Sequence, residues 1–387
     1  MERTYSFFRI FLALVFLFGF FSTTTLADSG FDHQVEKSRP IPLGVSGGNI
    51  NDKTQFFCCG GTLGSLVQDI SGNQYILSNN HILARTNKAP IGEDIMHPGL
   101  IDQDSLPGDN DPVCKKDTAD AVADLSGGVP ISFGLLSSNE VDAAIAQIRT
   151  GAVNTNGSIL DIGQVSTDTV PPVLGMSVKK SGRTTGVTTG MITGVNATIS
   201  VSYPKSCGSN RGRIARFVNQ IMIEPGNFSV GGDSGSLIVE DVNTCPRPVG
   251  LLFAGSSTAT FANPISDVLS ALGVSMVGCT PSGAIEEKNL LDRMFAWLFP
   301  AASAEQAPLV NPSVVEAATK VKNKHENSIF DKKGVVGVGI GHSRVSRGQA
   351  VIEVYVKELS DDVIRNLPTK LDGVSVEIVE TGEIVAY

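Results

Sequence analysis

Short runs of apolar and β-branched residues, broken by Gly, Pro, Asn and Ser, fill residues 41–279. Few stretches in this region keep the spacing of an amphipathic helix. Such a pattern is typical of an all-β sandwich or barrel. The runs that predict strands most clearly are GTLGSLVQD (61–69), QYILSNN (74–80), VDAAIAQI (141–148), residues 177–202, RFVNQIMIE (216–224) and SLIVED (236–241).

The length of this region suits two barrels of roughly 100 to 120 residues each. We expect the join between the barrels to lie between Gly151 and Val173.

The pattern changes after residue 279. Residues 286–298 place Leu290, Leu291, Met294, Phe295 and Leu298 at helical spacing, and Pro300 ends the run. A linker rich in Ala, Ser, Gln and Pro then continues to residue 312. We predict that residues 280–312 form a helix packed on the barrel surface, followed by this linker.

Residues 313–387 predict a second unit of mixed composition. The pattern indicates a helix at 313–325, a Gly-rich strand at 335–340, a strand at 350–357, a short helix at 361–367 and a closing strand at 374–379. This order favours a small α+β domain with segregated layers. The unit shows no set of catalytic residues.

The first 27 residues have the features of a secretory signal peptide. Arg3 and Arg9 precede an apolar run of 12 residues, which is shorter than the roughly 20 needed to span a bilayer. Thr25 and Ala27 supply the small residues that a signal peptidase requires. We expect cleavage near Ala27 and a secreted or periplasmic protein without stable membrane insertion. An uncleaved anchor is the alternative.

Composition and charge narrow the classes of function. The chain has 387 residues, of which 41% are hydrophobic and 18% charged, as in ordinary globular proteins. Its formal net charge of −9 disfavours binding to nucleic acid or another polyanion.

All six cysteines follow the predicted signal peptide. An even number of cysteines in an exported protein favours disulfides, and six allow 15 pairings, which the sequence leaves open. The cysteines are Cys58, Cys59, Cys114, Cys207, Cys245 and Cys279. A zinc site is disfavoured because no CxxC pair occurs and the histidines are scattered.

Three residues are candidates for catalysis because of their surroundings. His81 follows the strand-like ILSNN, Asp142 lies within VDAAIAQI, and Ser234 lies within GGDSGS. A serine hydroxyl is a weak nucleophile and needs a neutral imidazole to take its proton. A carboxylate in turn orients the imidazole and stabilises its charged form. Gly232 allows an unusual backbone conformation, so its N–H and that of Ser234 are candidates for an oxyanion hole.

These motifs, with GTLGSLV and SGRTTG, resemble the bacterial and plant branch of the chymotrypsin-like (trypsin-like) serine proteases. The resemblance implies a double β-barrel in which His81 is the general base, Asp142 orients it and Ser234 is the nucleophile. It also implies that Gly232 and Ser234 form the oxyanion hole. The tail resembles a small module attached to proteases of this branch, although here it follows the catalytic region.

The resemblance further places Phe228 in the wall of the primary specificity pocket. Phe253, Ala254 and Gly255 would offer backbone hydrogen bonds to an extended peptide. Since no acid stands at position 228, a preference for Lys or Arg is unlikely, and we expect an uncharged residue on the acyl side. No Ile-Val-Gly-Gly activation sequence is present, so a freed N-terminus paired with Asp233 is not expected.

Two hypotheses follow for the function. The first is an exported serine endopeptidase that acts on peptides or proteins and requires no metal or organic cofactor. The second is a catalytically idle or tail-blocked protease fold that acts as a binding module. In either case the C-terminal module could contact the cleft, as an inhibitor whose closing strand adds to a sheet edge, or it could serve as a spacer.

Overall fold

The computed structural model describes residues 31–103, 114, 117–209, 212–280, 310–346 and 348–387. The expected signal peptide and the expected helix at 286–298 lie outside these ranges, as does most of the expected linker.

The strands are short in the first half of the chain and long in the second. The first ten are β1 Val45–Asn49, β2 Gly61–Leu63, β3 Ser65–Gln68, β4 Gln74–Ser78, β5 Asp94–Met96, β6 Ala121–Gly128, β7 Gly134–Asn139, β8 Ala144–Ile148, β9 Ser158–Ile159 and β10 Gly163–Gln164. The others are β11 Ser177–Gly182, β12 Gly186–Pro204, β13 Gly212–Glu224, β14 Leu237–Glu240, β15 Pro248–Gly255, β16 Thr260–Pro264, β17 Ser275–Met276, β18 Val335–His342, β19 Ala350–Val356, β20 Lys370–Leu371, β21 Val374–Glu380 and β22 Val385–Ala386.

Helices are few. They are α1 Phe31–Gln34, α2 Asn80–Leu83, α3 Leu100–Gln103, α4 Ile265–Leu272, α5 Pro312–Phe330 and α6 Asp361–Asn366, with 3₁₀ turns at Thr118–Asp120 and Gly226–Phe228. Across the described ranges, none of the helices has both the length and the apolar character to cross a membrane.

The first barrel is an antiparallel sheet in the order β17-β3-β4-β8-β6-β5-β1-β2. Its apolar side chains point inward, and Leu66, Ile76 and Ala146 are fully buried in a common core. β17 comes from the far end of the protease region and pairs with β3, with Met276 opposite Val67. The chain therefore returns to close the first barrel after it has built the second.

The second barrel contains β11 to β16, and the hairpin of β12 and β13 is its longest element. β7 joins it by pairing in parallel with β13, opposite residue Ala215. Phe217, Phe253 and Phe261 fill its core. The predicted mainly-β, double-barrel, chymotrypsin-like fold is confirmed. Two strands depart from the order of the chain, because β7 lies in the second barrel and β17 lies in the first.

The tail forms the predicted small α+β unit. α5 packs on β18 and β19, and β19 pairs in parallel with β21. The predicted helices and strands agree with the observed ones within a few residues, apart from α5, which extends to Phe330. β18 is antiparallel to β12, with Gly337 opposite Ile199, so the tail sheet continues directly into the second barrel.

Disulfides join Cys58 to Cys114, Cys59 to Cys207 and Cys245 to Cys279. The second of these ties the segment before β2 to the end of the β12–β13 hairpin, and so links the two barrels. The structure thus selects one of the pairings that the sequence left open.

Candidate active site

The His81 side chain is positioned by Asp142. α2 begins just after β4, so His81 stands at the end of a buried strand. His81 Nδ1 donates a hydrogen bond to Asp142 Oδ2 at 2.6 Å, and the His81 backbone N–H donates to Oδ1 at 3.1 Å. The carboxylate therefore fixes both the tautomer of the ring and the backbone that carries it.

Neutral groups hold both the side chain and the backbone of Asp142, which is fully buried. The Tyr203 hydroxyl donates to Asp142 Oδ2 at 2.8 Å. The Asp142 backbone N–H donates to Asn263 Oδ1 at 3.0 Å, and the Asn79 side chain donates to the Asp142 carbonyl at 2.7 Å. A buried carboxylate is costly unless such partners replace water. Sequence reasoning missed Tyr203, since a tyrosine in an apolar strand predicts only a core position.

The turn that carries Ser234 is clamped by the first barrel. The Thr62 N–H donates to the Ser234 carbonyl at 2.8 Å, and the Thr62 hydroxyl donates to the Gly232 carbonyl at 3.0 Å. A Cβ on Gly64 would lie 1.9 Å from the Gly235 carbonyl oxygen, so only glycine fits at that contact. The nucleophile candidate therefore lies at the interface of the two barrels.

The backbone around Ser234 can accept an anion. Gly232 has φ +97°, in the region that favours glycine. Among the hydrogen bonds of the described residues, none uses the N–H of Gly232 or of Ser234. Two backbone donors close together in one turn have the character of an oxyanion hole.

Asp233 anchors the same turn from the interior. Its Oδ1 accepts from the N–H groups of Thr184 and Thr185 at 2.9 and 3.1 Å, and its Oδ2 accepts from the Val230 N–H at 3.0 Å. The ammonium of Lys180, in β11, is 3.6 Å from Oδ2. Burial lowers the pKa of Lys180 to about 8, against the opposing effect of the Asp233 charge. The cation that pairs with Asp233 is thus Lys180, a side chain of the second barrel.

His81 and Ser234 each have a partner other than the one expected. The Ser234 hydroxyl donates to the Phe253 carbonyl at 3.2 Å. His81 Nε2 is 2.8 Å from the carbonyl oxygen of Tyr387. Within the described residues, no hydrogen bond joins Ser234 Oγ to His81. The Phe253 carbonyl that Ser234 contacts also accepts from the Tyr387 N–H, so Tyr387 connects the surroundings of the two side chains.

The tail reaches the cleft through β22. This strand pairs antiparallel with β15, with Ala386 opposite Ala254 and Val385 opposite Gly255. The Tyr387 N–H donates to the Phe253 carbonyl at 3.4 Å. Residues 253–255 are the segment for which sequence reasoning expected backbone bonding to an extended peptide, and here they bond a strand of the same chain.

The Phe228 side chain lies in the apolar interior of the second barrel. It is fully buried among apolar residues. A Cβ on Gly190 would lie 2.8 Å from its ring. The next residue, Ser229, is hydrogen-bonded to Thr260 at 2.6 Å and also interacts with the Tyr387 hydroxyl. Tyr387 therefore packs against the apolar cluster that contains Phe228, and its hydroxyl interacts with Ser229.

The environment of His81 raises its pKa above 6.5. Burial acts in the opposite direction, but it is outweighed by the Asp142 charge, the hydrogen bond to Asp142 and the Tyr387 carbonyl. Because both ring nitrogens face acceptors, the imidazolium satisfies both contacts and the neutral ring satisfies one.

A cavity of about 120 Å³ opens beside the imidazole on the side away from Ser234's turn. His81, Tyr203, Arg85, Asp52 and Ala386 contribute to its wall. Burial raises the pKa of Asp52 to about 6, although the Arg85 charge opposes it. In the described ranges, no group of three His, Cys, Asp or Glu side chains is placed to hold a metal ion.

Comparisons with known proteins agree with this architecture in part. Residues 134–262 match the Nal1 C-terminal domain family. Comparison with curated protein sequences finds no match.

Solved structures similar to this chain are bacterial serine proteases of the chymotrypsin-like fold. A glutamic-acid-specific serine protease is 20% identical, with a TM-score of 0.40, and 61% of this chain covers 100% of it. Thermobifida fusca protease A is 18% identical with a TM-score of 0.39, and Cellulomonas bogoriensis chymotrypsin is 19% identical with a TM-score of 0.37. In both cases 62% of this chain covers 99% of the other.

Proposed function

We propose that the chain is a serine endopeptidase that uses His81, Asp142 and Ser234, and that β22 occupies its cleft as an intramolecular ligand. One observation carries the proposal. The His81 imidazole lies between a buried carboxylate at 2.6 Å and the carbonyl oxygen of a strand-paired segment at 2.8 Å. A base that a buried carboxylate orients in this way is arranged to take a serine proton in acyl transfer, once its other nitrogen is freed from the Tyr387 oxygen.

The proposed reaction begins when a substrate replaces β22 along residues 253–255. The Ser234 hydroxyl turns from the Phe253 carbonyl to His81 Nε2, and His81 takes its proton as Oγ bonds to the substrate carbonyl carbon. The N–H groups of Gly232 and Ser234 stabilise the negative oxygen that forms. His81 then protonates the leaving amine, which departs as the C–N bond breaks.

Water completes the cycle. It gives a proton to His81 and attacks the acyl-enzyme, and Ser234 Oγ leaves with the proton that His81 returns. The products are a carboxylic acid and an amine, and the enzyme is regenerated. Every proton is carried by His81.

The docked β22 opposes this reaction. While the Tyr387 carbonyl is bonded to His81 Nε2, that nitrogen cannot accept the Ser234 proton. The strand also occupies the backbone edge that a substrate needs. The resting chain is therefore an inhibited protease, and its activity depends on displacement of a few terminal residues.

Export from the cytoplasm is part of the proposal. Three disulfides favour an oxidising compartment, because reducing thiol pools oppose such bonds elsewhere. Residues 1–27 would serve as the signal peptide, with cleavage near Ala27.

A fluorophosphonate probe tests the catalytic proposal. We expect one adduct per chain on the wild type, none on Ser234→Ala and wild-type labelling on Ser275→Ala, which changes an exposed serine of β17. Tyr387→Gly should accelerate labelling by weakening β22. Absence of an adduct from both the wild type and Tyr387→Gly would exclude the protease and favour the binding-module alternative.

A further inference from the structure

We infer that the primary pocket of this site is built for a tyrosine side chain, so that the enzyme cleaves peptides after tyrosine. The inference rests on the proposed function and names its substrate class. The residue that reveals the pocket is Tyr387 of the same chain.

Tyr387 bonds the backbone segment that the acyl-side residue of a substrate would use. Its carbonyl oxygen is 2.8 Å from His81 Nε2, and its N–H donates to the Phe253 carbonyl at 3.4 Å. The Ser234 hydroxyl contacts that same Phe253 carbonyl at 3.2 Å. Tyr387 therefore contacts the base directly and shares the Phe253 carbonyl with the nucleophile, and its side chain marks the pocket that selects the residue after which the chain is cleaved.

The wall of the pocket leaves room for an aromatic ring. A Cβ on Gly255 would lie 2.2 Å from the Tyr387 hydroxyl oxygen and 2.4 Å from Cζ. The backbone of Gly255 is not in the left-handed region, so its lack of a side chain meets a need for space and not for conformation. Any larger residue at 255 would exclude the phenol.

The chemistry of the pocket fits a neutral phenol. The Tyr387 hydroxyl donates to the Ser256 carbonyl at 3.2 Å and also interacts with the Ser229 hydroxyl. Burial raises the pKa of Tyr387, with a contribution from the Asp233 charge, so the phenol keeps its proton and remains a donor. The groups that meet the ring here are uncharged. A lysine, arginine or glutamate in this place would lack a partner for its charge.

The residues before Tyr387 extend the preference. Ala386 borders the cavity beside His81 and Tyr203, where the space of about 120 Å³ favours a small side chain. Ile384 is fully buried in the same apolar cluster as Phe253. The sequence Ile-Val-Ala-Tyr of residues 384–387 is thus the pattern we expect in a good substrate.

Peptide p-nitroanilides with the acyl sequence Ile-Val-Ala-X test the inference directly, with X as Tyr, Phe, Leu, Lys or Glu. The enzyme is the full chain carrying Tyr387→Gly, in which the pocket has lost its internal occupant. We expect kcat/KM for Tyr to exceed that for Phe by about three- to ten-fold, because Phe leaves the Ser256 carbonyl without its donor. Leu, Lys and Glu should be cleaved at least about 100-fold less well than Tyr.

Two variants in the Tyr387→Gly background distinguish recognition from mere stability. Gly255→Ala should lower kcat/KM for Tyr by about ten-fold or more while raising the relative rate for X as Ala, since a Cβ fills the pocket. Ser229→Ala should lower the Tyr to Phe ratio without abolishing the preference, because the Ser256 carbonyl still accepts from the phenol. A general loss of folding would lower all substrates together.

Fluorophosphonate labelling in the same samples separates the two proposals. Labelling with a preference for Tyr supports the inference. Labelling with Lys, Glu or Leu as the best residue overturns the specificity and leaves the protease intact. Absence of both labelling and hydrolysis overturns the proposed function, and the inference with it.

Discussion

The ammonium of Lys180 lies 3.6 Å from Asp233 Oδ2, and both side chains are fully buried. Lys180 also donates to the Gly186 carbonyl at 2.9 Å, so the cation is fixed as well as paired. Asp233 immediately precedes Ser234. An ion pair inside the second barrel therefore supports the turn on which the proposed nucleophile and oxyanion hole depend.

Removal of the Lys180 charge should disorder this turn. We expect Lys180→Met to leave the Asp233 carboxylate buried without a cation, with a modest net change in the free energy of unfolding because the cost of burying the ammonium is also removed. Fluorophosphonate labelling should slow by about 10²-fold as oxyanion donors lose their position. Urea unfolding and labelling rates measure both. Lys179→Met is the control, since the neighbouring Lys179 bonds the exposed Val242 carbonyl, and it should have little effect.

The same pair predicts an alkaline limit to activity. Because the pKa of Lys180 is about 8 in the folded chain, labelling should decline above pH 8 as Asp233 loses its cation. Unfolded lysine keeps its proton to about pH 10.4, so this group's contribution to folding stability becomes more favourable between pH 8 and 10.4. Lys180→Arg should abolish the alkaline decline, because arginine stays charged. A decline at the same pH in Lys180→Arg would contradict the assignment.

Tyr203 is predicted to be a positioning residue. Tyr203→Phe removes the 2.8 Å hydrogen bond to Asp142 Oδ2 and should lower the free energy of unfolding by about 1.5–3 kcal/mol. We also expect the pH dependence of labelling to shift, since Asp142 loses one donor and interacts more strongly with the His81 imidazolium. Tyr75→Phe is a matched control, because Tyr75 donates to Asp69 at 3.0 Å near the surface. A pH profile unchanged by Tyr203→Phe would limit Tyr203 to a role in stability.

His81 sets the predicted acid limit. Labelling requires the neutral imidazole and should fall as the pH drops through a pKa above 6.5. The raised pKa stabilises the fold fully below the unfolded value near 6.5, and this contribution is lost as pH rises through the folded pKa. Tyr387→Gly, which weakens docking of the carbonyl acceptor, should move the acid limit of labelling to lower pH.

Asp52 provides the control for that assignment. Its pKa of about 6 lies in the same range, and its charge contributes to the raised pKa of His81. Asp52→Asn should shift the acid limit slightly and leave it present. Disappearance of the limit in this variant would assign the titration to Asp52 instead.

The contact between Gly64 and the Ser234 turn predicts a substitution that acts through packing. A Cβ at 64 meets the Gly235 carbonyl oxygen at 1.9 Å, so Gly64→Ala must push the turn out of place. We expect labelling to slow at least about ten-fold, and stability to fall by about 1–3 kcal/mol. A Cβ at Gly127 would lie 3.6 Å from its nearest neighbour, Ile145, so Gly127→Ala should change neither labelling nor stability. Labelling and thermal unfolding of the two variants decide.

Sequence reasoning predicted the elements and the meeting of His81 with Asp142. It did so because the alternation of apolar residues identifies strands locally, as around residues 141–148, and because the motifs occur in a recognisable order. The roles of His81, Asp142 and Ser234 in catalysis remain predictions. The boundary of the tail domain is a prediction as well.

Other features depend on contacts between distant residues, which a single sequence does not encode locally. Tyr203 donates to Asp142, which is 61 positions away in the sequence. The sequence around Lys180 predicts only a strand and gives no sign of its buried ion pair. The pairing of Cys59 with Cys207 spans 148 positions. Phe228 is buried in the apolar cluster against which Tyr387 packs, and its place in the pocket wall remains a prediction.

The pairing of β18 with β12 makes the tail part of the protease sheet, so the module cannot leave as a body. Only the few residues after Thr381, whose N–H is bonded to the Val356 carbonyl at 3.0 Å, need to detach. A ligand held on so short a tether acts at an effective concentration on the order of millimolar. A free peptide of equal intrinsic affinity must approach that concentration to compete. Under the proposed function, the chain would therefore cleave little substrate at low concentration and much more at high concentration, and the length of the tether would set the concentration at which cleavage begins.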